Sequence, residues 1–150
     1  MIKYIIIFFV VMTIFGILFN GMNMLINQYD QFYFSLTLFY IGCFMASTMF
    51  VAHEVIHFVL HHTFNPYLLG LGLVLTGVFI VLLRLQVGVN PNQWMMRMIP
   101  HHSTALTTTK QLLKNHPEVK QNPVLYNLCQ NIITSQTQEI NLMKRLLNSF

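Results

Sequence analysis

The sequence predicts an all-α membrane protein, with three transmembrane helices followed by a C-terminal helical hairpin. Two features of composition lead there. Charged residues make up 8 % of the chain and hydrophobic ones 55 %, whereas ordinary soluble domains carry roughly 25 % charge. The third observation is a change of character near residue 88. Upstream the chain is almost continuously apolar; downstream Asn, Gln, Thr and Lys become common. Residues 1–88 therefore read as a transmembrane region and 89–150 as a separate helical hairpin.

The first apolar run follows Lys3 and is longer than the core of a secretory signal. Residues 20–23, Asn-Gly-Met-Asn, do not resemble a small-x-small cleavage site. The expectation is a retained first helix over about 4–25, long enough to cross roughly 30 Å of hydrocarbon. A polar loop with Asp30 leads to a second helix, about 32–60, whose aromatic start suits an interfacial belt. Asn65-Pro66 breaks it. A third helix covers about 67–87, with Gly70, Gly72 and Gly77 available for close packing.

Beyond this, Asn90-Pro91 and Asn122-Pro123 each read as an N-cap followed by proline at the first helical position. They start two helices, with a kink expected at Pro100. A single hairpin of about 60 residues buries little core. A second copy would complete a four-helix bundle, so a homodimer or higher homo-oligomer is expected.

The formal charge of +4 comes from few, scattered bases. No Lys/Arg run marks a nucleic-acid partner. The lipid bilayer and a metal ion are the expected partners instead. The two cysteines, Cys43 and Cys129, have no metal-site spacing and read as buried free thiols.

Chemistry concentrates in two places. Met95, Met98 and His102 share a helix face at i, i+3, i+7, and His101 flanks them. Gln136, Glu139 and Met143 repeat that spacing on the last helix. A hairpin can bring the two faces together into a site of imidazole, thioether and carboxylate. Such ligands favour Cu(I) or Ag(I), and added oxygens admit Cu(II) or Zn(II). The plain alternative is that the methionines are adaptable core filler.

The other place is the end of the second helix, where Met45, Met49, His53, His57 and His61 recur at i+4. Ionisable groups in a membrane helix are costly and point to function; the plain alternative is a half-solvated helix end. Met49, His53, His57 and His61 form a possible second metal site. The same residues spell His53-Glu54-x-x-His57, the zinc-protease pattern in which Glu54 would be the general base. Zinc and a metalloenzyme are thus the rival reading, although no third ligand stands out.

Residues Met98-Ile99-Pro100-His101-His102-Ser103-x-Ala105, with Gln136-x-x-Glu139-Ile140-x-x-Met143 about 30 residues later, resemble the family called domain of unknown function 305. Residues 32–37, the Met45/Met49 helix and residues 84–87 resemble its membrane-anchored branch. The resemblance covers roughly 28–150. It implies a ferritin-like bundle, copper binding, His101, His102, Glu139 and Met143 as ligands, and Met98 and Gln136 as candidates. It also implies a bacterial inner membrane with the hairpin on the periplasmic side. The expected function is Cu(I) binding for copper handling or tolerance, without catalysis. A helical bundle without metal is the third reading.

Overall fold

The structure, a computed structural model, describes residues 2–149 and is all helical. Helix α1 spans Ile2–Leu18, a short α2 spans Gly21–Met24, and α3 and α4 span Leu36–His61 and Pro66–Leu85. Helices α5 and α6 span Pro91–Asn115 and Pro123–Leu147. The chain forms two compact units. One holds residues 1–20 and 36–89; the other holds 21–35 and 90–150.

Three Asn-Pro pairs punctuate the fold in the same way. The Asn65 side chain accepts from the backbone N–H of Tyr67 and Leu68, Asn90 from Gln93, and Asn122 from Leu125. Each is followed by a proline whose missing N–H costs nothing at that position. Pro100 does not break α5, which runs through it. The Pro100 carbonyl accepts from Thr104 Oγ1 at 3.0 Å.

Among the described residues two helices, not three, are long and apolar enough to cross a membrane. They are α3, with 26 residues and a mean hydropathy of 1.5, and α4, with 20 residues and 2.4. The expectation of a first spanning helix over 4–25 fails because α1 stops at Leu18. Asn20-Gly21 lies there, and glycine is a common helix terminator. Its 17 residues give about 26 Å, short of the roughly 30 Å of hydrocarbon. Helix α3 starts at Leu36 rather than 32, because Tyr29–Gln31 forms a 3-10 turn and Phe32 after it is extended.

In the first unit α3 packs against both α1 and α4. Small residues set these contacts. A Cβ on Gly42 would meet Ile17 Cγ1 at 2.7 Å and the Thr13 carbonyl oxygen at 2.8 Å. A Cβ on Gly72 would sit 3.0 Å from Phe50 Cβ and 3.2 Å from the Val51 backbone nitrogen. Of the three glycines expected to pack closely in the third apolar run, only Gly72 does. Nothing lies within 4 Å of a Cβ at Gly70 or Gly77. Phe50 is buried under Phe8 and Phe9, whose ring centroids lie 5.3 and 5.9 Å away. Thr76 Oγ1 donates to the fully buried Ser47 Oγ at 3.1 Å, joining α3 to α4. At the end of this pair nearer Leu36, Thr37 Oγ1 donates to Gln86 Oε1 at 3.0 Å, and the Tyr40 hydroxyl donates to the Val87 carbonyl.

The second unit is the α5–α6 hairpin plus the segment 21–35. Its core is Met95, Ile99, Leu106, Ile140 and Met143, with Tyr33, Met98, Ile133 and Leu147 packed against it. Cys43 and Cys129 are buried free thiols, as their spacing indicated.

These contacts give a differential test. Gly42→Ala forces the α1 backbone away and should cost about 1–3 kcal/mol, the range for overpacking. Gly77→Ala should be neutral or stabilising by up to about 1 kcal/mol, the helix-propensity gain. Thermal unfolding of the two variants in detergent checks the ordering.

Candidate metal centre

The hairpin positions the sequence-predicted ligands unequally. His102, near the middle of α5, comes within 2.7 Å of Glu139 Oε2 on α6 through its Nδ1. The His102 side chain is 15 % exposed and that of Glu139 49 %. The two atoms are close, yet Nδ1 makes no hydrogen bond of acceptable direction. The contact is therefore close but not aligned as a hydrogen bond. His101 lies beside it, its ring centroid 5.7 Å from that of His102 in an edge-on arrangement. Adjacent residues on a helix cannot share a face, so His101 is exposed while His102 is half-buried.

The methionines divide as well. Met143 is 6 % exposed and belongs to the apolar core, as does Met95 at 4 %. For these two the core-filler reading describes what the side chains do. Met98 is half-buried at the core's edge, one turn before His102. Gln136 is half-buried on α6, one turn before Glu139. Among the described residues no three His, Cys, Asp or Glu side chains converge as a metal group would require.

Electrostatics around His101 favour its neutral form. Partial burial pushes its pKa below the usual value, and the neighbouring His102 and Arg97 push the same way. The ring remains exposed overall, so solvent tempers the effect. Arg97 is itself lowered by burial. Its guanidinium donates to Met22 Sδ at 2.9 Å.

The other predicted group lies in the first unit. Met49, His53 and His61 are exposed, His57 is half-buried and Glu54 is 3 % exposed. The His53 and His57 rings stand 6.2 Å apart, nearly parallel, and His57 and His61 are 4.9 Å apart.

What sequence reasoning missed is the role of residues 21–35. This segment is latched to α5 by the fully buried Ser103. The Ser103 hydroxyl accepts from the Asn27 backbone N–H at 2.6 Å and donates to Gln31 Oε1 at 2.5 Å. Thr104 Oγ1 donates to the Met22 carbonyl, Lys110 Nζ to Asn27 Oδ1, and Lys144 Nζ to Asp30 Oδ2. These partners are 72 to 114 residues apart in sequence. No local spacing could announce them.

Residues 82–147 match the family described as "Domain of unknown function (DUF305)". This segment is a DUF305 domain. It takes in the end of α4 and nearly all of the hairpin; the apolar helices before it lie outside the match. The family's description names no activity and no ligand. An uncharacterized protein of Acanthamoeba polyphaga mimivirus is similar, at 28 % identity over 131 residues, covering 86 % of this chain and 82 % of its own. No solved structure matches.

Ser103 supplies the prediction for the DUF305 unit. Ser103→Ala leaves a half-buried N–H and a buried amide oxygen without their partner, which costs about 1–3 kcal/mol. Hydrogen exchange of the 21–35 amides should accelerate while those in the middle of α6 change less.

Proposed function

We propose that this is a membrane-anchored protein whose DUF305 hairpin holds Cu(I) for copper handling, without catalysis. The observation that carries it is the meeting of His102 and Glu139 across the hairpin at 2.7 Å. A carboxylate beside one ring nitrogen is how metal-ligating histidines are oriented. The other ring nitrogen, Nε2, is then left for the ion. His102, His101 and Met98 would hold it, and Glu139 would orient His102. Imidazole and thioether are the donors that suit reduced copper.

Two constraints sharpen this reading. No third nitrogen, thiolate or carboxylate ligand converges among the described residues. His101, His102 and Met98 therefore make up the donor set within one copy. Arg97 also places positive charge near His101, and a singly charged ion is repelled about half as strongly as a divalent one. Met143, as a core residue, contributes packing here rather than ligation.

A second copy of the chain is the expected partner. Leu125, Leu128, Leu142 and Leu146 on α6 are 37–53 % exposed, at spacings that make an apolar stripe. Pairing two hairpins through it would give the four-helix bundle. Chemical crosslinking in detergent should capture a dimer, and Leu128→Glu/Leu142→Glu should abolish it. Crosslinking that yields monomer alone in the parent chain would sink the pairing.

The metal test uses the detergent-purified chain and Cu(I) competition with a chelator. His101→Ala/His102→Ala should weaken binding at least tenfold. Met143→Leu should leave it unchanged and cost less than about 1.5 kcal/mol of stability, as volume-conserving swaps do. Equal Cu(I) affinity in the double variant and the parent overturns the reading.

A further inference from the structure

The histidines near the end of α3 carry their own case, independent of the hairpin. His53 and His57 are one helical turn apart, and both rings are already held. His53 Nδ1 lies 3.0 Å from Glu54 Oε1, and His57 Nδ1 lies 2.7 Å from the Thr63 carbonyl oxygen. A carbonyl oxygen and a carboxylate only accept, so in each ring Nδ1 is the protonated nitrogen. In its neutral form each ring then keeps an unprotonated Nε2, the form in which imidazole binds metals. An N–H given to a carboxylate or backbone carbonyl is the arrangement that fixes tautomer and ring angle in metal-ligating histidines. Here it occurs twice in succession.

Glu54 accounts for how the first ring is held. It is 3 % exposed, and its two oxygens have separate tasks. Oε1 meets His53, while Oε2 accepts the Asn65 backbone N–H at 2.6 Å. Asn65 caps α4, so Glu54 fixes the level at which α4 begins. The carboxylate is thereby committed to positioning. A cavity of about 260 Å³, lined by His53, Glu54, His57, Thr63, Phe64 and Asn65, opens beside the rings. Helix α3 is about 39 Å long, more than the roughly 30 Å of hydrocarbon. In a bilayer a helix of this length would bring the turn that carries His57 toward the aqueous interface beside Asn65, where a cation can arrive from water.

We infer that His53 and His57 form a binding site for a borderline divalent cation, Zn(II), at this end of the α3–α4 pair, with Glu54 and the Thr63 carbonyl as positioning groups. No third acidic, thiol or imidazole group converges there among the described residues. Water completes the coordination, and His61, whose ring lies 4.9 Å from that of His57, is the nearest further donor. Neutral imidazoles suit zinc, and with no thioether in the cavity lining nothing favours Cu(I) there.

The test uses the full chain in detergent with His101→Ala/His102→Ala already in place, so that the hairpin cannot contribute. Zn(II) is titrated against a chromogenic chelator. About one Zn(II) per chain is expected, and His53→Ala and His57→Ala should each weaken it tenfold or more. Glu54→Gln should weaken it about 10–100-fold, the usual effect of losing an outer partner. In that variant the imidazole ¹⁵N signals of His53 should also move toward a mixture of tautomers, which a merely structural role for Glu54 would not produce. No Zn(II) uptake in this background, or uptake unchanged by His53→Ala and His57→Ala, overturns the inference. Loss of Cu(I) binding by the hairpin variant has no bearing on that outcome.

Discussion

The buried hydroxyl of Ser103 is the interaction on which the C-terminal unit most depends. Two helices alone leave much of each apolar face in water, and small units gain little from burial. Residues 21–35 supply a third layer, with Tyr33 packed on the core. A polypeptide segment with little helix of its own can be buried only if its backbone groups find partners. Ser103 supplies that for Asn27, and through Gln31 it holds the turn that precedes α3. Lys144–Asp30 fastens the same segment at 2.6 Å, but Asp30 is exposed, so this ion pair contributes little beside the buried network. Placing 21–35 and 90–150 in one unit also constrains topology. The chain between them is α3 and α4, so this unit is assembled from two stretches far apart in sequence.

The first unit is governed by a different constraint. In an apolar surrounding the hydrophobic effect does not drive helices together, and close packing must do it instead. Gly16 and Gly42 let α1 and α3 touch backbone to backbone, and Gly72 does the same for α3 and α4. Polar groups there are few, and some pair across helices, as Ser47 with Thr76 and Thr37 with Gln86. This division of labour, glycine contacts in one unit and a buried hydroxyl network in the other, follows the change in composition along the chain.

That change is what made so much of the architecture legible. The all-α class, both Asn-Pro starts of the hairpin helices and the extent of α3 and α4 to within a few residues follow from periodicity, capping and hydropathy. The end of α1 was not legible, because apolar residues continue past Leu18 to Leu25 and hydropathy hides the Asn20-Gly21 stop. The latch at Ser103 was illegible for a stronger reason: serine inside a helix usually solvates or bonds its own backbone, and its partners lie more than 70 residues away. Within the candidate centre, spacing correctly placed His102 opposite Glu139. It could not separate Met98, at the core's edge, from Met143, inside it, because i+3 and i+4 patterns describe faces and not depth.

The two histidine groups differ in what their spacing permits. His101 and His102 are adjacent, so their rings diverge by about 100° around the helix; the two are joined only at the surface, where a thioether and a carboxylate are near. His53 and His57 are four apart and nearly parallel, 21° between ring planes. The first arrangement offers unlike side chains, including a soft one, on a helical hairpin with an adjacent arginine. The second offers two like donors in register, each preset by an acceptor at Nδ1, with a buried carboxylate and no cation among the lining residues. Softness and charge thus differ between the two places: a thioether and Arg97 stand at the first, and the buried carboxylate of Glu54 at the second. A chain with only four acidic residues has placed three of them, Glu54, Glu118 and Glu139, each against a histidine Nδ1, where a carboxylate is worth more to the orientation of a ring than to the net charge of the surface.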